Sequence, residues 1–180
     1  MTRLASDGSK NHWRMTMDIT DEKFGKIWWQ SDMPVISRQG QYLPVLVRLP
    51  HSDTNSTWIR GGKKNKPQWN PQLECWETPR AWFNEMIQLS LKRYGAVYIV
   101  QRYRQMQKCV PACWNAQGFD CECSCMGDNH GSGHPGGRWY VVSDKFAFKW
   151  GSSEYACRRI KASDQAQPVQ GNASAPTEGR

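Results

Sequence analysis

The stretch Lys108 to Gly137, KCVPACWNAQGFDCECSCMGDNHGSGHPGG, decides how this chain is read. Five of the seven Cys fall between Cys109 and Cys125, and two of the four His follow at once. The spacing is Cys109-x3-Cys113-x7-Cys121-x-Cys123-x-Cys125-x4-His130-x3-His134. Thiolate and imidazole are borderline-soft donors that suit Zn²⁺, which takes four ligands in a tetrahedron. A C-x3-C pair closes on one ion across a turn, and Pro111 favours that turn. Alternate side chains of a strand share a face, so a strand over Asp120 to Met126 lines up Cys121, Cys123 and Cys125. Three thiols there are too many for one ion that also uses Cys109, Cys113 and His130. Either one Cys is a bystander, or there are two ions or a bridging thiolate. The favoured set is Cys109, Cys113 and two of the three clustered Cys, with His130 as the substitute ligand.

The same stretch carries Gly118, Gly127, Gly131, Gly133, Gly136 and Gly137. A loop so rich in glycine has no core of its own, and a metal is the natural organiser. A structural Zn²⁺ can contribute on the order of 10 kcal/mol to folding a small module. Buried inert thiols would be scattered at core spacing. Disulfides need an oxidising compartment and leave an odd Cys over. An iron–sulfur cluster also uses four thiolates. Cys75 and Cys157 lie outside the cluster beside apolar neighbours and read as small core residues.

The segment resembles one found in uncharacterised proteins of bacteria, phages and other mobile elements. Those carry C-x3-C, a Gly, C-x-C-S-C and then N-H-G. The matching residues are Cys109, Cys113, Gly118, Cys121, Cys123, Ser124, Cys125, Asn129, His130 and Gly131. The resemblance implies a shared metal-binding segment and a phage or plasmid origin, and no established activity.

Outward from this segment, the whole chain has 180 residues, about the size of one domain. Its 15 Gly and 10 Pro fall short of the ~25–30% of low-complexity chains, and ten Trp can supply a core. The apolar runs Tyr42 to Leu49 and Ala96 to Val100 are far shorter than the ~18–20 residues that span a bilayer. Met1 to Met15 lacks the apolar stretch of a secretory signal, so the expectation is a cytoplasmic protein without membrane attachment. Residues 1–20 read as a flexible arm, 21–160 as the folded domain and 161–180 as a disordered tail.

Within the domain, Tyr42 to Leu49 reads as a strand, at an edge because Pro44 cannot donate to a ladder. His51 to Ser56 is turn chemistry, with Thr57 to Arg60 as the returning strand. Thr78 to Tyr94 reads as the main helix. Thr78 is its N-cap, Pro79 its first position and Gly95 its stop. Trp82, Phe83, Met86, Ile87, Leu91 and Tyr94 mark its apolar face. Ala96 to Tyr103, Arg138 to Ser143 and Lys145 to Trp150 read as strands, and Ser152 or Ser153 begins a short helix through Ile160. The order predicts an α+β domain with a mixed or antiparallel sheet, one main helix and a zinc-organised Cys/His loop.

The net charge of +8 favours polyanionic partners, nucleic acid or a nucleoprotein complex, or an acidic face on a host protein. Arg60, Lys63, Lys64 and Lys66 form one patch in a glycine-containing loop. Arg102 and Arg104, among Tyr94, Tyr98 and Tyr103, form a second. Cations for phosphate beside ring faces for bases are what a single strand needs. Trp69 and Trp114 are the candidate exposed rings, Trp82 and Trp150 the core ones. A regular strand puts Arg102 and Arg104 opposite Tyr103, which separates them on a ligand. Two further readings are a metal-dependent nuclease with His130 as base beside Asp128 and Asn129, and a module that inhibits a host defence complex. The chain has no P-loop, G-x-G-x-x-G or G-x-S-x-G motif.

Overall fold

The computed structural model describes residues 19–131 and 140–162. The chain enters through α1 (Glu22–Trp29), capped by the Asp21 carboxylate accepting from the Phe24 N–H at 2.8 Å. Strands β1 (Val35–Arg38) and β2 (Val45–Arg48) follow, then α2 (Asn55–Arg60), β3 (Gln68–Asn70) and β4 (Cys75–Thr78). A 3₁₀ turn over Arg80–Trp82 leads into α3 (Phe83–Tyr94) and β5 (Ala96–Arg102). The Cys segment contributes one turn of helix, α4 (Pro111–Trp114), before β6 (Tyr140–Trp150) and β7 (Ser153–Ala162) close the domain.

The strands form one sheet in the order β3-β4-β2-β1-β5-β7-β6. Every neighbouring pair is antiparallel except β1 and β5, which run parallel with Val35 beside Tyr98 and Arg38 beside Gln101. The fold is therefore mixed α+β with a mixed sheet.

Pleating sends alternate residues to opposite faces. Ile36, Val97, Ile99 and Ile160 pack with Phe83, Met86, Ile87 and Leu91 of α3 on one face. Val35, Tyr98, Val100 and Cys157 pack with Phe24 and Trp28 of α1 on the other. Each such buried aliphatic side chain stabilises the fold by roughly 1.5–3 kcal/mol. Gly95 takes the left-handed conformation at φ 76° and its N–H donates to the Leu91 carbonyl at 2.9 Å, so α3 stops as expected. Cys75 and Cys157 are buried core thiols, and Trp82 and Trp150 are buried core rings.

Five local expectations are corrected. Thr78 ends β4 and gives its hydroxyl to the Val45 carbonyl, so it does not cap α3. Thr57 to Arg60 is helical, because Ile59 buries on a helical face and Gly61 at φ 50° closes that turn. β2 lies inside the sheet, which Pro44 permits because it precedes the first paired residue, Val45. Ser153 to Ile160 is strand, filling the slot between β5 and β6. The two strands expected around Asp144 are one, β6, whose register shifts between Ser143 and Phe146. Of the proposed arm and tail, residues 1–18 and 163–180 lie outside the described residues; Ile19 packs on the core and Lys161 belongs to β7.

Candidate metal centre and adjoining cleft

Beyond β5 the chain folds back on itself. The Arg104 N–H donates to the Glu122 carbonyl and the Ser124 N–H to the Gln107 carbonyl, both at 2.9 Å. This return brings Cys121, Cys123 and Cys125 beside Cys109 and Cys113. Pro111 starts α4, as its fixed φ suits, and Gly131 donates its N–H to the Cys113 carbonyl at 2.9 Å. The expected strand over Asp120 to Met126 is absent: the chain is irregular through Glu122, bends at Cys123 and turns from Ser124. The three thiols converge on one centre by turning, without sharing a strand face.

Sulfur–sulfur distances are 3.5 Å for Cys109 to Cys123, 3.7 Å for Cys113 to Cys123 and 3.3 Å for Cys123 to Cys125. Cys121 lies 3.4 Å from Cys123 and 3.6 Å from Cys125. Four sulfurs about 2.3 Å from a Zn²⁺ sit ~3.8 Å apart along the edges of their tetrahedron. Cys109, Cys113, Cys123 and Cys125 form one set whose ligand atoms all lie within 4.8 Å of each other, and Cys113, Cys121 and His130 form a second. These residues can hold a metal ion. His134 lies outside the described residues.

His130 is buried, with Nε2 2.9 Å from the Gly118 carbonyl and Nδ1 3.6 Å from Cys113 Sγ. A carbonyl only accepts, so the proton sits on Nε2 and the Nδ1 lone pair faces the thiols. Nε2 is thereby held by the Gly118 carbonyl, and Nδ1 is the nitrogen offered to the centre. Asn129 donates to Cys109 Sγ at 3.7 Å and Asp128 pairs with Lys145.

Burial pushes the thiols of Cys109, Cys113, Cys121 and Cys123 up, and their mutual proximity adds to this. Without a cation, packed thiolates repel. Cys125 goes the other way. Burial would raise it, but the Asn129 N–H, the Cys123 thiol and the Gly127 N–H turn toward its sulfur and hold it at about 6.

The floor of the centre is the sheet. Arg158 of β7 is buried on the α3 face, donating from Nη2 to the Gln101 side-chain oxygen and to the Phe119 carbonyl, both at 2.6 Å. The Gln101 amide reaches the Asp120 carboxylate at 2.8 Å, and Arg38 pairs with the other Asp120 oxygen. Asn84 of α3 accepts the Phe119 N–H at 2.9 Å. The segment is thus tied to α3, β1, β5 and β7. Gly127, at φ 99°, lies against Arg158: a Cβ there would approach its Cδ and Nε at 3.0 Å.

Beside the metal segment opens a cleft of about 1040 Å³. Arg38, Arg80, Arg102 and Arg104 line it, with Tyr42, Trp69 and Glu122. Tyr42 is 95% exposed and Trp69 51% exposed. Trp69 stands edge-on to Trp76 at 5.1 Å, which fixes the ring from behind. Arg38 is wedged against the Phe83 ring, and Arg104 pairs with Glu122 of the metal segment at 3.4 Å.

The expected basic residues therefore separate. Arg102 and Arg104 share the cleft, and Lys66 lines the adjoining hollow with Arg80. Lys63 is committed to Glu85 at 2.7 Å and to the face of Trp82. Arg60 donates to the Lys63 carbonyl, and Lys64 is exposed outside the cleft. Trp114 is exposed as expected, but on the metal segment.

The chain matches no protein-family model, no curated protein and no solved structure. No helix among the described residues is long and apolar enough to cross a membrane.

Sequence reasoning missed Arg38, Arg80, Tyr42, Gln101 and Arg158. Arg38 ends a strand, VISR, whose four residues were too short to read. Gln101 follows the apolar run of β5, and Arg158 stands beside Arg159 in β7 as a charge between the apolar Tyr155–Cys157 and Ile160. A polar residue next to an apolar run was the available signal.

Proposed function

We propose that this chain is a zinc-organised binding protein whose cleft takes single-stranded nucleic acid. The zinc reading rests on donor chemistry: five thiols and one neutral imidazole favour a closed structural site over one that keeps a place for water. The nucleic-acid reading rests on one observation. Four arginines and two exposed rings line a single cleft together with Glu77 and Glu122, and Glu122 is the residue that the metal segment contributes to it. Guanidinium groups neutralise phosphate, and Trp69 and Tyr42 offer faces on which bases of any sequence stack. Glu122, between Cys121 and Cys123, sets the position of Arg104. Metal binding and the shape of the cleft are coupled through that residue.

The test is fluorescence anisotropy of a labelled single-stranded oligonucleotide across a salt series. Affinity falls steeply with salt, and Arg102→Ala with Arg104→Ala lowers both affinity and the slope, by ~0.7 per lost phosphate contact. Absent or salt-independent binding to single strands overturns the reading.

A further inference from the structure

One ion leaves too much of this centre unexplained. A tetrahedron of Cys109, Cys113, Cys123 and Cys125 is complete with four sulfurs. Cys121 and His130 then ligate nothing, yet both are buried, and both share a second ligand set with Cys113. The Gly118 carbonyl turns the His130 Nδ1 lone pair toward Cys113 Sγ at 3.6 Å, which is how a metal-ligating imidazole is oriented. Resting on the zinc reading above, we propose that the centre holds two zinc ions that share the Cys113 thiolate.

The first ion takes Cys109, Cys113, Cys123 and Cys125. The second takes Cys113, Cys121 and His130. Cys123, already a ligand of the first ion, lies 3.4 Å from Cys121 and 3.7 Å from Cys113 and is the nearest donor for the second ion's fourth position, where it bridges as Cys113 does. The surrounding charge agrees. Arg158 is buried beneath the thiols, its Nη1 has no hydrogen-bond partner, and it pairs with no carboxylate among the described residues. A buried cation needs compensating charge close by. Two dications, five thiolates and one guanidinium sum to zero, whereas one dication with four thiolates and the guanidinium leaves a net negative charge in the interior.

The experiment is native mass spectrometry of the full chain loaded with zinc, paired with NMR of the same chain loaded with cadmium. Two bound ions and two cadmium resonances, coupled through a shared sulfur, are expected. His130→Ala, or Cys121→Ser should the first variant not fold, loses one ion and keeps the other. A single ion and one resonance in the unaltered chain, with both variants still holding that ion, overturns the two-ion centre and leaves the zinc reading standing. Two uncoupled resonances overturn the shared thiolate. A chain that binds no zinc overturns both readings.

Discussion

Arg158 of β7 donates to the side-chain oxygen of Gln101 on β5 at 2.6 Å, a polar contact buried inside the sheet's helical face. Gln101 passes the connection to Asp120, and Arg158 passes it to the Phe119 carbonyl. The Cys segment is thus seated by two interior side chains before any metal is considered. Arg158→Met removes the donor that the Gln101 side-chain oxygen and the Phe119 carbonyl share, and leaves Gln101 with the longer bond from the Cys121 N–H at 3.4 Å. The cost is about 2–4 kcal/mol, read as a lower midpoint in urea unfolding of the zinc-loaded chain.

Gly127→Ala tests how closely the segment lies on that floor. The added Cβ meets Arg158 at 3.0 Å and the backbone sits at φ 99°, so both sterics and conformation oppose it. The expected loss is roughly 1–3 kcal/mol, together with weaker zinc retention in a competition titration against a chelating dye. Unchanged retention would show that the contact carries no strain.

In the metal-free chain Cys125 is the first thiol to react. Its folded value near 6 lies below the ordinary 9.0, so the fold favours its thiolate. The stability this contributes is complete above about pH 9 and is lost as the pH falls through about 6. Alkylation mapped by peptide mass spectrometry then shows Cys125 labelled with a midpoint near pH 6. Burial holds Cys75 and Cys157 near 12, and they stay unlabelled in the folded chain at neutral pH. With zinc bound, the low midpoint disappears.

Trp69→Ala removes a ring half exposed in the cleft. If a base stacks there, affinity for a single-stranded oligonucleotide falls by about 1–3 kcal/mol. Lys64→Ala, outside the cleft lining, leaves affinity close to that of the unaltered chain. Equal effects of the two substitutions would place binding on diffuse charge instead of in the cleft.

The metal cluster was legible because ligand spacing is local. Cys109 to His130 spans one segment, and thiols so close in sequence have few ways to avoid meeting. The partition into two sets sharing Cys113 was not legible, since it depends on the turns from Ser124 to Gly131 that bring His130 to Cys113 and Cys121. The main helix was legible from Phe83, Met86, Ile87 and Leu91, but its start was not, because Thr78 is claimed by β4 through pairing with Val45. β7 was hidden by Arg158, a buried charge whose partners come from β5 and the Cys segment. The cleft arginines come from β1, the 3₁₀ turn and the end of β5, and only the sheet brings them together.

Hydrogen exchange across residues 104–131, measured with zinc bound and after a strong chelator, tests most directly whether a metal shapes this segment. The account predicts that zinc co-purifies with the chain and that chelation speeds exchange at Arg104, Cys113, Ser124 and Gly131 while β1, β2 and β5 stay protected. A metal-free chain whose exchange in that segment is equally slow with and without the chelator would contradict it.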